Sequence, residues 1–140
     1  MIMSIRKAKL KDCEAIYKLC KTPALLNPSG EPPKLWWIQS FVKEKQMLYV
    51  AEAGKKIVGF VMAEELTGKG CIIWMMAVTK AFQNKGIGAR LYQTIEDECK
   101  KRKIRAIVLY SYIKNKGISK QLQRAGFQKG SHYEEYIKFM

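Results

Sequence analysis

The sequence is short of the residues that build metal sites, disulfide frameworks and membrane spans. It has a single histidine, His132, and four cysteines, Cys13, Cys20, Cys71 and Cys99, none of them in a C-x-x-C pair. A zinc centre needs a denser ligand set, so no metal site is expected and the thiols read as reduced core residues. The longest strictly apolar run is "CIIWMMAV", 71–78, far short of the roughly 20 residues that cross a bilayer. The opening "MIMSIRKAKL" has neither an apolar h-region nor a small-residue cleavage site. These absences predict a soluble, cytoplasmic protein with no membrane partner. No internal repeat or low-complexity tract interrupts the 140 residues, and 1–140 are expected to form one domain.

Acid is scarce as well: 12 Asp and Glu stand against 26 Lys and Arg, a net charge of +14. Between Thr79 and Lys129 there are 13 cations and only three acids, Glu96, Asp97 and Glu98, so most of the excess sits in one stretch. Such a field attracts polyanions, whether nucleic acid, a phosphorylated cofactor or an acidic substrate, without choosing among them. A lysine-rich solubilising surface would have the same composition.

Hydrophobic periodicity supplies the order of elements. "MSIRKAK" reads as a strand and "KDCEAIYKLCK" as a helix with Cys13, Ile16, Leu19 and Cys20 on one side. The proline-rich "TPALLNPSGEPP" is a loop, after which Pro33 suits the first turn of a helix "KLWWIQSFVKEK". "MLYVAE", "IVGFVMAEEL" and "CIIWMMAV", separated by "AGKK" and "TGKG", form an antiparallel meander. A helix from about Gly86 to Lys103 repeats Ile87, Leu91, Ile95 and Cys99 every four residues. The strand "IRAIVLYSY", the helix "KGISKQLQRA" ending at Gly126, and two strand-like segments, "FQKG" and "EEYIKFM", complete the chain. The reading is an α/β (α+β) fold of order β-α-α-β-β-β-α-β-α-β-β, with a mixed, mostly antiparallel sheet and helices on both faces.

Between the third meander strand and the long helix lies "QNKGIGAR", 83–90. A dinucleotide-binding G-x-G-x-x-G would need glycine where Leu91 stands, and a P-loop would need Lys and Ser or Thr after Gly88, which Ala89 and Arg90 follow instead. What remains is the device those motifs share. Glycines let an anion approach the backbone, while unpaired N–H groups and the dipole at a helix N-terminus favour negative charge.

The stretch Gln83-Asn84-Lys85-Gly86-Ile87-Gly88 resembles the Q/R-x-x-G-x-G/A motif of the GCN5-related N-acetyltransferase (GNAT) superfamily. "IRKAKLKDCEAIYKL" is similar to that family's first strand and helix, and "NKGISKQLQRAGF" to its N-x-x-A-x-x-x-Y-x-x-x-G-F segment, with Asn115, Gly126 and Phe127 in register. The resemblance implies an N-acetyltransferase that carries acetyl from acetyl-CoA to a primary amine by direct attack in a ternary complex. It also implies that Gln83, Lys85, Gly86, Ile87, Gly88 and Ala89 hold the cofactor's diphosphate. By the same likeness the main chain of Met76, Ala77 and Val78 pairs with pantetheine, and Asn115 contacts the pantetheine arm, although Asn115 also suits an Asx turn or helix cap.

This sequence departs from the family in its acid and base. The usual tyrosine acid aligns with Leu122 and the usual acidic base with Ile72. Replacements are Glu64 or Glu65 acting through water and Tyr112, with Tyr110 and Ser119 as further candidates. Only one of each adjacent strand pair can face a given site.

The acceptor, a small molecule or a protein or peptide, stays open. So does a monomer or a homodimer: Leu25, Leu26, Trp36, Trp37 and Phe41 suit an apolar pocket wall, while the pair Trp36 and Trp37 also suits packing of the second helix onto the sheet or a dimer contact. A basic surface disfavours cationic acceptors unless Glu31, Glu64 and Glu65 form a local acidic patch. The rival reading is a weakly active or inactive module that binds acyl-CoA or nucleic acid through its basic face, or acetylates aminoacyl-tRNA.

Overall fold

One sheet carries the fold, and three of its strands contain the runs "IVGFV", "CIIW" and "AIVL", rich in β-branched and aromatic residues. The computed structural model describes residues 3–22, 25, 30–111 and 116–140. The elements run β1 (Met3–Lys7), α1 (Cys13–Leu19), α2 (Leu35–Lys43), β2 (Met47–Ala53), β3 (Lys56–Leu66), β4 (Gly70–Val78), α3 (Ile87–Lys101), β5 (Ala106–Leu109) and α4 (Lys116–Arg124). They fall into two units, Met1–Leu109 and Tyr110–Met140.

In the first unit the strand order is β1-β2-β3-β4-β5; the first four strands are antiparallel and β5 runs parallel to β4. Helices cover both faces. Ile87, Leu91, Ile95 and Cys99 of α3 pack on Tyr49, Val61, Ala63, Cys71 and Ile73, while Cys13, Ile16, Ile38 and Phe41 of α1 and α2 pack on Leu48, Val50, Phe60, Met62 and Met75. A sheet covered on both faces needs no polar alternation, which is why β2 is buried almost throughout.

Two irregularities shape the region around β4. Its register with β3 passes from Met62↔Met75 to Ala63↔Ile73, leaving Trp74 as an extra, bulged residue. Before the bulge Cys71 and Ile73 face α3; after it Met75 and Ala77 face α1 and α2, and Val78 returns to the α3 side. The bulge thus reverses which face each residue of β4 serves. The second irregularity is Gly59 on β3, where a Cβ would lie 3.0 Å from the Ala77 carbonyl oxygen, 3.3 Å from Val78 Cγ2 and 3.4 Å from Leu91 Cδ1. Its missing side chain lets the end of β4 and the start of α3 close onto the sheet.

Helices α2 and α3 end in the same way. Gln46 N–H donates to Phe41 O and Lys45 N–H to Val42 O; Ile104 N–H donates to Cys99 O and Lys103 N–H to Lys100 O. Each is a Schellman motif whose left-handed residue is a lysine, Lys45 at φ 56° and Lys103 at φ 58°. Pro33 stands one residue ahead of the α2 cap, Lys34, rather than in the first turn.

The second unit contains α4, also closed by a Schellman motif, here with Gly126 at φ 98°, Gly126 N–H on Gln123 O and Phe127 N–H on Leu122 O. The two final strands expected at "FQKG" and "EEYIKFM" are not formed: residues 127–140 are neither helix nor strand. A strand exists through its ladder, and here Tyr133, Tyr136, Ile137 and Phe139 stand exposed. β5 is likewise shorter than expected, at four residues.

Candidate functional site

The stretch between β4 and α3 turns the chain through two left-handed residues. Thr79 N–H donates to Val58 O at 2.8 Å, Lys80–Phe82 make one 3-10 turn, and Gln83 is extended. Asn84 at φ 61° and Gly86 at φ 81° then swing the backbone into α3. Asn84 is a residue type that tolerates this region through local polar contacts; at Gly86 the absent Cβ removes the penalty altogether. The Gln83 side chain donates from Nε2 to Val78 O at 2.9 Å and ties the loop to the strand end, and Lys85 Nζ lies 5.3 Å from the centre of the Phe82 ring.

The mouth of α3 is built to receive negative charge. No side chain caps it and no acid occupies its first turn, while Lys100 and Lys101 sit in its last. The first intrahelical bond is Arg90 N–H to Gly86 O at 3.1 Å, so the N–H groups of Ile87, Gly88 and Ala89 have no acceptor within the helix. At Gly86 and Gly88 an added Cβ would meet nothing within 4 Å. Unlike Gly59, these glycines make room for no part of the described protein. What they leave open is an approach to bare backbone donors at the positive end of a 15-residue helix.

Met76, Ala77 and Val78 lead into this loop. They pair with Val61, Phe60 and Gly59 on the β3 side. On the other side the β4–β5 ladder stops at Ile73↔Leu109, so beyond it β4 has no ladder partner among the described residues. The sheet therefore carries the loop and an unpaired stretch of strand edge side by side.

Glu64 and Glu65 point to opposite faces of β3. Glu65 accepts from Arg102 Nη1 at 3.1 Å, in a cluster with Glu98, on the α3 side and toward that helix's C-terminal end. Glu64 stands on the α1–α2 side and accepts the indole N–H of Trp74 at 2.9 Å. Its register partner on β4 is Ile72, which puts the two Cβ atoms about 4.5–5.5 Å apart on one face. Trp74 also meets Trp37 of α2 edge-on, 6.0 Å between ring centres, and Trp37 meets Phe41 in the same way at 5.2 Å. The role of Trp74 had no sequence signal, because it depends on the bulge. Glu31 is paired with Lys34 at 3.7 Å, so Glu31, Glu64 and Glu65 make no common acidic patch. Tyr112 and Asn115 lie outside the described residues, as does Leu26; Leu25 is half-buried and Trp36 exposed.

Burial decides the chemistry of the thiols. All four cysteines are buried and free, and desolvation pushes Cys20 and Cys71 up to about 12. None is suited to act as a nucleophile near neutral pH. Among the described residues no group of His, Cys, Asp and Glu could hold a metal ion, and no helix is long and apolar enough to cross a membrane.

The sequence pattern of the acetyltransferase (GNAT) family matches residues 10–127. No curated protein sequence matches the chain. Solved structures with the same fold include an N-acetyltransferase from Staphylococcus aureus Mu50, 19% identical over 94% of this chain and 86% of that one, with a TM-score of 0.81. Ard1 from Thermoplasma volcanium is 20% identical over 94% and 86%, with a TM-score of 0.82. The ribosomal-protein-S18-alanine N-acetyltransferase from Escherichia coli is 18% identical over 93% and 80%, with a TM-score of 0.79.

Proposed function

The chain belongs to the acetyltransferase (GNAT) family, and on that premise we propose that it is an acetyl-CoA-dependent N-acetyltransferase acting on a primary amine. The observation that carries the reading is the mouth of α3, where three N–H groups with no acceptor in the helix and two glycines with open space lie at the end of a strand edge that has no ladder partner among the described residues. The family match runs through α4 to Phe127, which supports taking both units as parts of one acyltransferase domain.

The residues present fit the cofactor. Diphosphate oxygens are acceptors without donors, and the loop offers donors without acceptors. Acetyl-CoA, when bound, supplies the acetyl thioester. The N–H groups of Ile87, Gly88 and Ala89 and the α3 dipole would hold its diphosphate, with Lys85 and Arg90 adding positive charge. The main chain of Met76, Ala77 and Val78, on the edge away from β3, would align the pantetheine, joined by Asn115 as the resemblance implies.

Glu64 takes the part of proton acceptor for the attacking amine. The family's usual base position falls on Ile72, which has no proton to exchange, and Glu64 is the cross-strand neighbour of that residue. The carboxylate is thus displaced by one strand rather than lost. Glu65, held by Arg102 on the opposite face, is not assigned this role. Tyr112 remains the candidate acid for the departing thiolate, again by resemblance.

Calorimetric titration with acetyl-CoA tests the reading, with Gly86→Glu and Gly88→Glu as variants. Each puts a side chain and a like charge where the diphosphate would lie, and binding should be lost. Thiol release from acetyl-CoA can then be screened with amines, among them a peptide beginning with alanine, the residue named for the Escherichia coli relative. Absence of binding by the wild-type protein, or unchanged affinity in both folded variants, would refute the assignment.

A further inference from the structure

Among the described residues the buried or half-buried carboxylates are Asp12, Glu52, Glu64, Glu65, Glu96 and Glu98. Asp12 and Glu52 pair with Arg6, Glu65 and Glu98 with Arg102, and Glu96 with Lys100. Glu64 alone has no cationic partner. In a chain with 26 cations and 12 acids that exception is the reverse of what charge statistics favour. Its single hydrogen bond comes from Trp74, on Oε1, and leaves Oε2 without a donor.

The indole beside it is unusual in its own way. The bulge delivers Trp74 to the same face as Glu64, edge packing on Trp37 fixes its ring, and yet it is 44% exposed. An exposed aromatic face next to an unpaired carboxylate is a recognised arrangement for an organic ammonium: the carboxylate meets the charge and the ring quadrupole meets the adjoining carbon skeleton. Polyamines are a different matter. Glu65 faces away and is taken by Arg102, and Glu31 is taken by Lys34, so neither of these carboxylates is free to meet a second positive charge.

We propose that Glu64 and Trp74 form the ammonium site for the acceptor, and that it selects an amine with one positive charge on an apolar or aromatic skeleton over a polyamine. The link to an acceptor rests on the acetyltransferase reading; the ammonium site itself does not. Trp74 is then a positioning residue, holding Oε1 so that Oε2 faces the incoming amine.

The probes are phenethylammonium and spermidine, followed by ligand-observed NMR saturation transfer on the full-length protein at constant ionic strength. Phenethylammonium should bind saturably and spermidine more weakly. Glu64→Gln should weaken phenethylammonium by at least about tenfold, the loss of one charge-assisted hydrogen bond. Trp74→Phe keeps the ring packing but not the N–H, and should weaken it less while leaving spermidine unaffected. Equal phenethylammonium binding by Glu64→Gln and wild type, or tighter binding of spermidine, would overturn the proposal. Acetyl-CoA calorimetry on the same variants separates the two readings. Retained acetyl-CoA binding shows that lost amine binding is local, whereas amine binding by a wild-type protein that ignores acetyl-CoA would sink the transferase reading and leave the ammonium site standing.

Discussion

Replacing Gly88 by alanine should change stability and affinity in opposite directions. Gly88 lies in the first turn of α3 with no left-handed backbone, and a Cβ there meets nothing within 4 Å. In the free protein the substitution removes conformational freedom from the unfolded chain without creating a clash, a gain of about 0.4–1 kcal/mol. For a chain of this size that is a rise of roughly 1–4 °C in Tm. If the Gly88 backbone receives a diphosphate oxygen, the methyl group keeps that oxygen away, and losing one hydrogen bond to a charged group costs about 1.5–3 kcal/mol. Acetyl-CoA affinity should therefore fall about tenfold to a hundredfold. Differential scanning fluorimetry of the free protein and calorimetry with acetyl-CoA read the two effects separately. A higher Tm with unchanged affinity would mean that no ligand touches this backbone. A lower Tm would mean that the space is not open. Gly86→Ala provides the contrast: at φ 81° a side chain costs about 1–2 kcal/mol, so that variant should lose both stability and affinity.

Gly59→Ala should destabilise by about 1–3 kcal/mol through overpacking, since its methyl would meet the Ala77 carbonyl oxygen at 3.0 Å; an unchanged urea midpoint would refute the tight contact. Lys103→Gly should raise the midpoint, relieving part of the roughly 1–2 kcal/mol attached to a left-handed non-glycine residue, and a fall would refute the strain. Arg6→Met should destabilise by about 3–5 kcal/mol, because it leaves Asp12, 5% exposed, without the guanidinium that donates to both its oxygens at 2.8 and 3.1 Å. Those hydrogen bonds hold the Asp12 carboxyl below its ordinary value, so the stability they add is present above the unfolded carboxylate range and is lost as pH falls through the folded value. The variant's acid-unfolding curve should accordingly be flatter than the wild type's. Cys20 and Cys71, pushed up to about 12 by burial, should resist iodoacetamide at pH values near 8 until the chain unfolds, and rapid labelling of the native protein would contradict their burial.

What could be read from the sequence was what depends on local period. The four-residue repeat of Ile87, Leu91, Ile95 and Cys99 gave α3 to within two residues, and the meander's apolar runs gave β2, β3 and β4. Gly86 was legible because a turn into a helix through the left-handed region favours a residue without Cβ. Lys45 and Lys103, by contrast, occupy the same kind of backbone at helix ends with no compositional mark. The two terminal strands failed for a related reason: alternating Tyr, Ile and Phe describe a strand's faces but say nothing of whether a ladder partner exists.

The acid–base problem shows where local reading stops. From the chain alone Ile72 is simply a missing base, and Glu64 and Glu65 are two equal alternatives eight and seven positions away. Registration of β3 against β4 makes Glu64 the neighbour of Ile72, and the alternation of strand faces sends Glu65 to Arg102 instead. The bulge at Trp74 then reverses the parity of everything that follows on β4, so that a tryptophan which an unbroken period of two would leave out of step with Met75 shares its face. A single inserted residue therefore has two consequences that no window of sequence contains: it supplies Glu64 with its indole donor, and it turns the edge of β4 that leads to the glycine loop. A variant that removed Trp74 altogether would restore the regular register and leave Met75 opposite Met62 on the α1–α2 face, so Glu64 would lose its indole donor while the approach to the loop kept its facing.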